Sequence, residues 1–139
     1  MDTVVNALKA GEIDMYIDVN DGLSADAYYE LGKLGFGTQM AEGTQVTSLS
    51  LNTAGDMLGD VSVRQALEYA TDNTVISEYV YGSLQKPASS YFADSVTLTQ
   101  TGTDGYPYQP EKAAEILELA GWNLESGSDY RTKDGVTLE

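Results

Sequence analysis

Two short stretches of this sequence alternate apolar and polar residues, and they lie among stretches with helical spacing. Residues 12–19, EIDMYIDV, and residues 46–52, VTSLSLN, both repeat with a period of two. In the first stretch the apolar side consists of Ile13, Met15, Ile17 and Val19. Side chains of a strand alternate between its faces, so each stretch predicts a half-buried strand. Strands that are separated by helices along the chain predict an α/β fold.

Five segments carry apolar residues at helical spacing. The first runs from about residue 4 to Gly11, the second from 25 to about 33, the third through residues 63–70, the fourth from a cap at Asp72 or Thr74 to Gly82, and the fifth from 110 to about 120. Ser24 is expected to cap the helix from Ala25 to Lys33, and Asp60 or Ser62 to begin the next one. Pro110 suits the first helical position, and Gly121 suits the position just after the helix end. Tyr79 lies at core spacing in its helix. These boundaries are local, so they follow from short stretches of sequence.

The rest of the chain predicts a hairpin and a long connection. Residues 130–138, YRTKDGVTL, contain an Asp-Gly pair between two short stretches, which indicates a tight hairpin turn. Residues 83–108 have few periodic signals and are expected to form a long ordered loop with at most one strand. Both ends of the sequence break off abruptly, and we interpret them as cuts in a longer protein.

Charge and composition exclude several classes of function. The net charge is −15, from 22 acidic against 7 basic residues, so nucleic acids and anionic lipid surfaces are expected to be repelled. Cysteine and histidine are both absent. Disulfides, thiolate or imidazole metal sites and histidine-based catalysis are therefore excluded.

Three acidic or aromatic patterns suggest chemistry, and each has a simpler explanation. Residues 18–22, DVNDG, resemble a calcium loop, but the glycine falls one position too early, so an Asx-rich turn is favoured. Pairs such as Glu12 with Asp14, or Glu115 with Glu118, would suit a glycosidase. Chance pairing on a solvated surface is favoured for them. The ten tyrosines could form a recognition surface, although core or edge packing is favoured.

The polar side of the stretch 46–52 is the strongest candidate site. Ser48, Ser50 and Asn52 share one face of the predicted strand. This face is either the solvent side of an edge strand or one wall of a ligand cleft. The pattern alone leaves both interpretations open.

Three blocks of the sequence resemble a known family. They are VVNALKAGEIDM (residues 4–15), SLSLNTAGDMLGDVSVRQALEYATDNTVI (48–76) and YPYQPEKAAEILELAGW (106–122). In this order they are similar to the solute-binding proteins of peptide- and nickel-type ABC importers, extracellular solute-binding family 5. Gln109 stands where the family usually has a capping aspartate, which weakens the helix start.

The resemblance implies an α/β fragment of a two-lobed periplasmic-binding-protein-like fold (type II, cluster C) with a mixed sheet and flanking helices. Residues 1–45 would end the first lobe, 46–53 would be a strand crossing the hinge, and 54–139 would begin the second lobe. Ser48, Ser50 and Asn52 would then lie at the ligand cleft. Asp60 and Arg64 would have structural roles near the hinge, with Arg64 holding a carboxylate or loop carbonyl groups.

The resemblance also implies a function for the whole protein. It would capture a solute, with an oligopeptide or dipeptide favoured over a metal chelate, an opine or a sugar, and would deliver it to the permease subunits of an ABC transporter. It would not be an enzyme and would need no catalytic residue, cofactor or metal. Its location would be extracytoplasmic, either periplasmic or as a cell-surface lipoprotein. A carboxylate-based glycosidase fragment and a tyrosine-rich interaction module are the alternatives.

Overall fold

The computed structural model describes residues 2–19, 22–93, 95–96 and 105–139. Contacts divide the described residues into two compact units, the first from 1–43 and 74–87 and the second from 44–73 and 88–139. In order along the chain, the helices and strands of these ranges are α1 (Asp2–Ala10), α2 (Ala25–Lys33), α3 (Asp56–Gly59), α4 (Val61–Ala70), α5 (Asn73–Tyr81), α6 (Pro110–Leu119), β1 (Asn123–Leu124), β2 (Arg131–Lys133) and β3 (Val136–Leu138). Among the described residues, no helix is long and apolar enough to cross a bilayer.

The core of the first unit lies between α1 and α2. Its buried residues are Val5, Leu8, Ala27 and Leu31. Ser24 begins α2 as predicted, since its side-chain oxygen accepts a hydrogen bond from the backbone N–H of Ala27 at 3.3 Å. Lys9 and Glu30 form an ion pair between the two helices. The apolar spacing of both helices therefore marks the faces that meet.

Helix α5 turns a different face inward from the one that its apolar residues suggest. Tyr79 is 85% exposed, and Val75, Ile76 and Val80 are exposed as well. The buried residue is Ser77, whose hydroxyl donates to the carbonyl oxygen of Gln85. The predicted packing of Tyr79 is wrong, because the segment after the helix folds back over the Ser77 side and satisfies its hydroxyl there.

The second unit is built on the packing of α4 against α6. Val63 and Ala66 from α4 are buried, as is Ala113 from α6. Helix α6 ends as its sequence predicts, with Gly121 in the left-handed region (φ 89°). The backbone N–H of the next residue, Trp122, donates a hydrogen bond of 2.9 Å to the carbonyl oxygen of Leu117. The Trp122 residue is 2% exposed. At the other end of α6, Gln109 makes no side-chain capping bond, as expected.

The predicted hairpin forms and gains a third strand. Asp134 and Gly135 both have positive φ, at 50° and 81°, the combination that a two-residue type I′ turn requires. Strand β2 pairs with β3 on one side and with β1 on the other, in the order β1-β2-β3. Both pairings are antiparallel. The strands described here are therefore antiparallel, whereas a mixed sheet was expected.

The two strands predicted from alternation do not form in the part of the chain that the structure describes. Residues 12–19 and 46–52 have no regular secondary structure, and the helix α3 stands where a loop was expected. Met15, Ile17 and Val19 are exposed, and Leu49 is 87% exposed. A strand is stabilised by backbone hydrogen bonds to a neighbour, so alternation without a partner leaves the chain extended but unpaired. The expected lobe limits at residues 45 and 54 stay a prediction.

Candidate functional site

The three residues predicted to line a cleft lie on an extended, exposed segment. Ser48, Ser50 and Asn52 are all accessible to solvent. The side-chain oxygen of Asn52 accepts a hydrogen bond from the backbone N–H of Ala54 at 3.1 Å, which closes a short Asx turn. The segment thus ends in a defined corner. A role of these side chains in ligand contact stays a prediction.

A shallow groove of about 510 Å³ begins just before these residues in the sequence and is open to solvent. Residues 44–47 form one side, and the other side includes the ring pair of Tyr91 and Phe92. Their ring centroids are 5.6 Å apart, and the planes are nearly perpendicular. The lining residues that the structure describes are Thr44, Gln45, Val46, Thr47, Tyr91, Phe92, Ala93 and Val96, and none of these eight carries a charge. Sequence reasoning missed this groove, because residues 83–108 carry no periodic signal.

Asp60 connects three elements of the second unit. One carboxylate oxygen accepts from the backbone N–H of Ser62 at 2.9 Å and so caps α4. The other accepts from the indole N–H of Trp122 at 3.1 Å and from the ammonium group of Lys133 at 2.8 Å. The hydrogen bond from Lys133, followed by that from Ser62, holds the pKa of Asp60 well below its usual range. Asp60 is therefore ionised at neutral pH.

Arg64 binds backbone carbonyl groups near the start of its own helix. Its Nη1 donates to the carbonyl oxygens of Leu58 at 2.7 Å and Gly59 at 3.0 Å, at the end of α3. Arginine is suited to this because its fork of donors has a fixed geometry. These contacts hold the junction of α3 and α4. A role at a hinge stays a prediction for both Arg64 and Asp60.

The sequence did not reveal which residues join Asp60. Trp122, Lys133 and the second arginine, Arg131, are not among the candidate residues that the sequence indicated. Arg131 donates to the carbonyl oxygen of Trp122 at 2.9 Å and pairs with Glu118 at 3.2 Å. The one feature of the sequence that could have drawn attention to Lys133 and Arg131 is the small number of basic residues, 7 against 22 acidic ones.

The acidic residues considered for glycosidase chemistry have other partners or lie outside the groove. Glu115 pairs with Lys112 at 2.9 Å, and Glu118 pairs with Arg131. Among the described residues that line the groove, none is acidic. Within the described ranges, no grouping of three or more His, Cys, Asp or Glu residues could hold a metal ion. The geometry thus gives no support to a pair of catalytic carboxylates.

Comparison with known proteins places these features in a family. A model of the bacterial extracellular solute-binding proteins, family 5 (middle part), matches residues 1–139. The nickel-binding periplasmic protein of Escherichia coli K12 is 34% identical over 95% of this chain and 25% of its own length. A putative ABC transporter peptide-binding protein of Brucella ovis is 33% identical over 89% of this chain and 23% of its own length.

A solved structure shows the same architecture. The crystal structure of NikA from Brucella suis in complex with Fe(III)-EDTA matches with a TM-score of 0.81 and 33% sequence identity. The match covers 99% of this chain and 28% of NikA. The chain therefore spans about a quarter of the length of the relatives that it matches. The architecture is that of a type II periplasmic binding protein, of which the helices and strands described here form one part.

Proposed function

Because this chain belongs to the bacterial extracellular solute-binding proteins of family 5, we propose that it is part of a protein that captures a solute for import by an ABC transporter. The observation that carries the proposal is the family match over residues 1–139, which the 0.81 TM-score to NikA supports. Its partners would be the solute and the permease subunits of the transporter. It would act in the periplasm or as a lipoprotein at the cell surface.

Capture would proceed by closure of two lobes around the solute, with no covalent bond made or broken. Ligand would shift the population toward the closed form by binding it more tightly than the open form. Residues 46–53 would be the segment that crosses between the lobes. This chain alone would bind the solute weakly or not at all, because part of a cleft cannot remove a ligand from water.

We propose an oligopeptide or dipeptide as the solute. The similarity to peptide-binding relatives from Brucella supports this, as does the oligopeptide-binding protein OppA of Lactococcus lactis, which is 31% identical over 66% of the chain. The nickel-binding periplasmic protein of Escherichia coli, which is 34% identical, supports a metal or metal chelate as the alternative solute. Relatives also include a heme-binding protein of Haemophilus influenzae, so the family accepts several kinds of solute.

Within this chain, Ser50 and Asn52 would face the solute, with Ser48 beside them. Their exposed positions support this assignment, as does the groove that begins at Thr44, whose described lining residues carry no charge. Hydroxyl and amide groups can bond the peptide backbone without regard to side-chain charge. Such contacts would suit a protein that accepts many peptide sequences.

The test is a solute panel with the longer protein that contains this chain. Thermal unfolding would be followed with dipeptides, oligopeptides, nickel ions, Fe(III)-EDTA and heme. A ligand at 100 times its Kd stabilises the folded state by about 2.7 kcal/mol, so a peptide that binds is expected to raise Tm by several degrees. A panel in which only Fe(III)-EDTA or heme raises Tm would overturn the peptide assignment. A panel with no shift at all would overturn the proposed function.

Variants of the longer protein test the residues. Ser50→Ala and Asn52→Ala should each weaken peptide binding about tenfold, which corresponds to roughly 1.4 kcal/mol. Ser89→Ala, in the same unit but outside the groove lining, is the matched control and should bind like the parent. If both site variants bind the peptide as tightly as the parent does, Ser50 and Asn52 do not contact the solute.

A further inference from the structure

One face of the C-terminal hairpin carries both of its basic side chains. Arg131 and Lys133 are two residues apart in β2, so they lie on the same side of the sheet. Their cross-strand partners in β3 are Leu138 and Val136, which share that side. All four side chains are half-buried. We call these four residues the inner face of the hairpin.

The inner face contacts the end of α6 through Arg131. Its guanidinium donates to the carbonyl oxygen of Trp122 and pairs with Glu118, and the side chain is 14% exposed. A cation next to the last carbonyl groups of a helix is favoured by the helix dipole. This contact keeps β2 beside the turn that follows α6.

The inner face contacts the start of α4 through Lys133. Its ammonium group lies 2.8 Å from the Oδ2 of Asp60 and 5.7 Å from the centre of the Trp122 ring. Its methylene groups pass close to Gly121, about 4.0 Å from where a side chain there would begin. Lys133 and Asp60 are both mostly shielded from solvent. This pair joins positions 73 residues apart in the sequence.

Asp60 in turn ends a corner of the chain, residues 52–60. Asn52 closes a turn onto Ala54, and a side chain at Gly59 would begin only 3.2 Å from the carbonyl oxygen of Thr53. Asp60 then caps α4 through Ser62. The corner therefore folds back on itself between Thr53 and Gly59 and is bonded to α4 at its end.

We propose that Lys133 and Asp60 form an electrostatic clasp, which docks the hairpin onto α4 and thereby fixes the corner of residues 52–60 that begins at Asn52. The inner face has only two apolar side chains, so charged contacts carry most of the docking. Lys133 acts as a positioning residue through Asp60. The clasp itself is argued from the contacts of Lys133 and Asp60. Its role in placing Asn52, a residue expected to face the solute, rests on the proposed function.

The test replaces Lys133 in the 139-residue chain, which contains a single tryptophan. Lys133→Met keeps the apolar stem and removes the charge. Hydrogen exchange, followed by NMR, would report on the Trp122 indole N–H and the Ala54 amide. Both are expected to exchange about tenfold faster in the variant, because the clasp opens without unfolding the unit. Amides in the middle of α4 and α6 should change less than about twofold and show that the fold persists.

Lys112→Met is the matched control, since it removes a lysine of the same unit whose partner Glu115 is exposed. It should leave both exchange rates unchanged. Asp60→Asn, which keeps an oxygen to cap α4, should act like Lys133→Met. The double variant should add little, because the two residues act as one pair.

Salt gives a second measurement, which compares the parent chain with Lys133→Met. In the parent chain, 1 M NaCl should speed indole exchange relative to low salt, since a partly exposed ion pair is screened. In Lys133→Met, salt should have no such effect. If the Trp122 indole N–H exchanges at the same rate in Lys133→Met as in Lys112→Met, the clasp is overturned. If the exchange rate of the Ala54 amide is unchanged in Lys133→Met, the role of the clasp in positioning the corner is overturned. Failure of every solute to bind the longer protein would not alter these rates, so the two proposals fail separately.

Discussion

At the scale of single residues, Asp60 shows how one carboxylate can stabilise several elements at once. It accepts hydrogen bonds from Ser62, Trp122 and Lys133, and donors of this kind, above all the charged ammonium group, favour the ionised form of the carboxyl. An aspartate whose pKa is lowered on folding stabilises the folded state at any pH above the pKa of the unfolded chain. That contribution is lost as the pH falls toward the folded-state value.

The lowered pKa of Asp60 predicts how the stability of the chain depends on pH under acidic conditions. The difference in unfolding free energy between the parent and Asp60→Asn should be constant near neutral pH and should shrink as the pH falls below about 3.9, the ordinary value for Asp. Urea unfolding at several pH values between 7 and 3 measures it. The other carboxylates titrate equally in both proteins and cancel. A difference that stays constant down to pH 3 would show that the pKa of Asp60 is not lowered.

At the scale of elements, the close approach of α5 to α2 depends on a missing side chain. Gly82 follows α5 with φ at 56°, in the region that glycine favours. A methyl group at this position would overlap the Cβ of Ala25 in α2. The hydroxyl of Tyr29 also donates to the carbonyl oxygen of Gly82, at 2.8 Å. The end of α5 is therefore held directly on the surface of α2.

Gly82→Ala should destabilise the chain by about 3 kcal/mol, the sum of a left-handed alanine and an overpacked contact. Gly11→Ala is the matched control, because Gly11 also has a positive φ, 69°, but has open space around it. The control should lose only about 1 kcal/mol. Urea unfolding of both variants gives the comparison. Equal losses would mean that the contact with Ala25 contributes nothing.

At the scale of the whole molecule, the chain is about a quarter of the length of its relatives, and its apolar surfaces reflect this. Residues 12–19 keep a strict alternation, yet Met15, Ile17 and Val19 are exposed. Alternation of this kind is typical of a strand with one buried face. In the proposed two-lobed protein, we expect other segments to pair with this stretch and cover its apolar side.

Ile17→Thr tests this expectation in two settings. In the 139-residue chain it should change the unfolding free energy by less than about 0.5 kcal/mol, because the side chain is exposed. In the longer protein it should cost about 1–3 kcal/mol, the value for a buried apolar group replaced by a polar one. Asp14→Ser, on the polar side of the same stretch, should be neutral in both. A small effect of Ile17→Thr in both proteins would contradict the expected pairing.

Features set by neighbours in the sequence could be predicted from it. The range of α2 from Ala25 to Lys33, its Ser24 cap, the end of α6 at Gly121 and the turn at Asp134 all follow from contacts a few residues long. Charge and the lack of cysteine and histidine also follow from composition. The family could be recognised because its motifs are short and occur in a fixed order.

Features set by distant neighbours needed the tertiary structure. The link from Asp60 to Trp122 spans 62 residues, and the link to Lys133 spans 73. No local spacing encodes them, just as none shows that α5 buries Ser77 rather than Tyr79. The stretches 12–19 and 46–52 make the same point, since they have the pattern of strands and lack the partner. Local sequence specifies which conformation each segment favours, but hydrogen bonds and burial between distant segments decide which face is covered and which strand pairs.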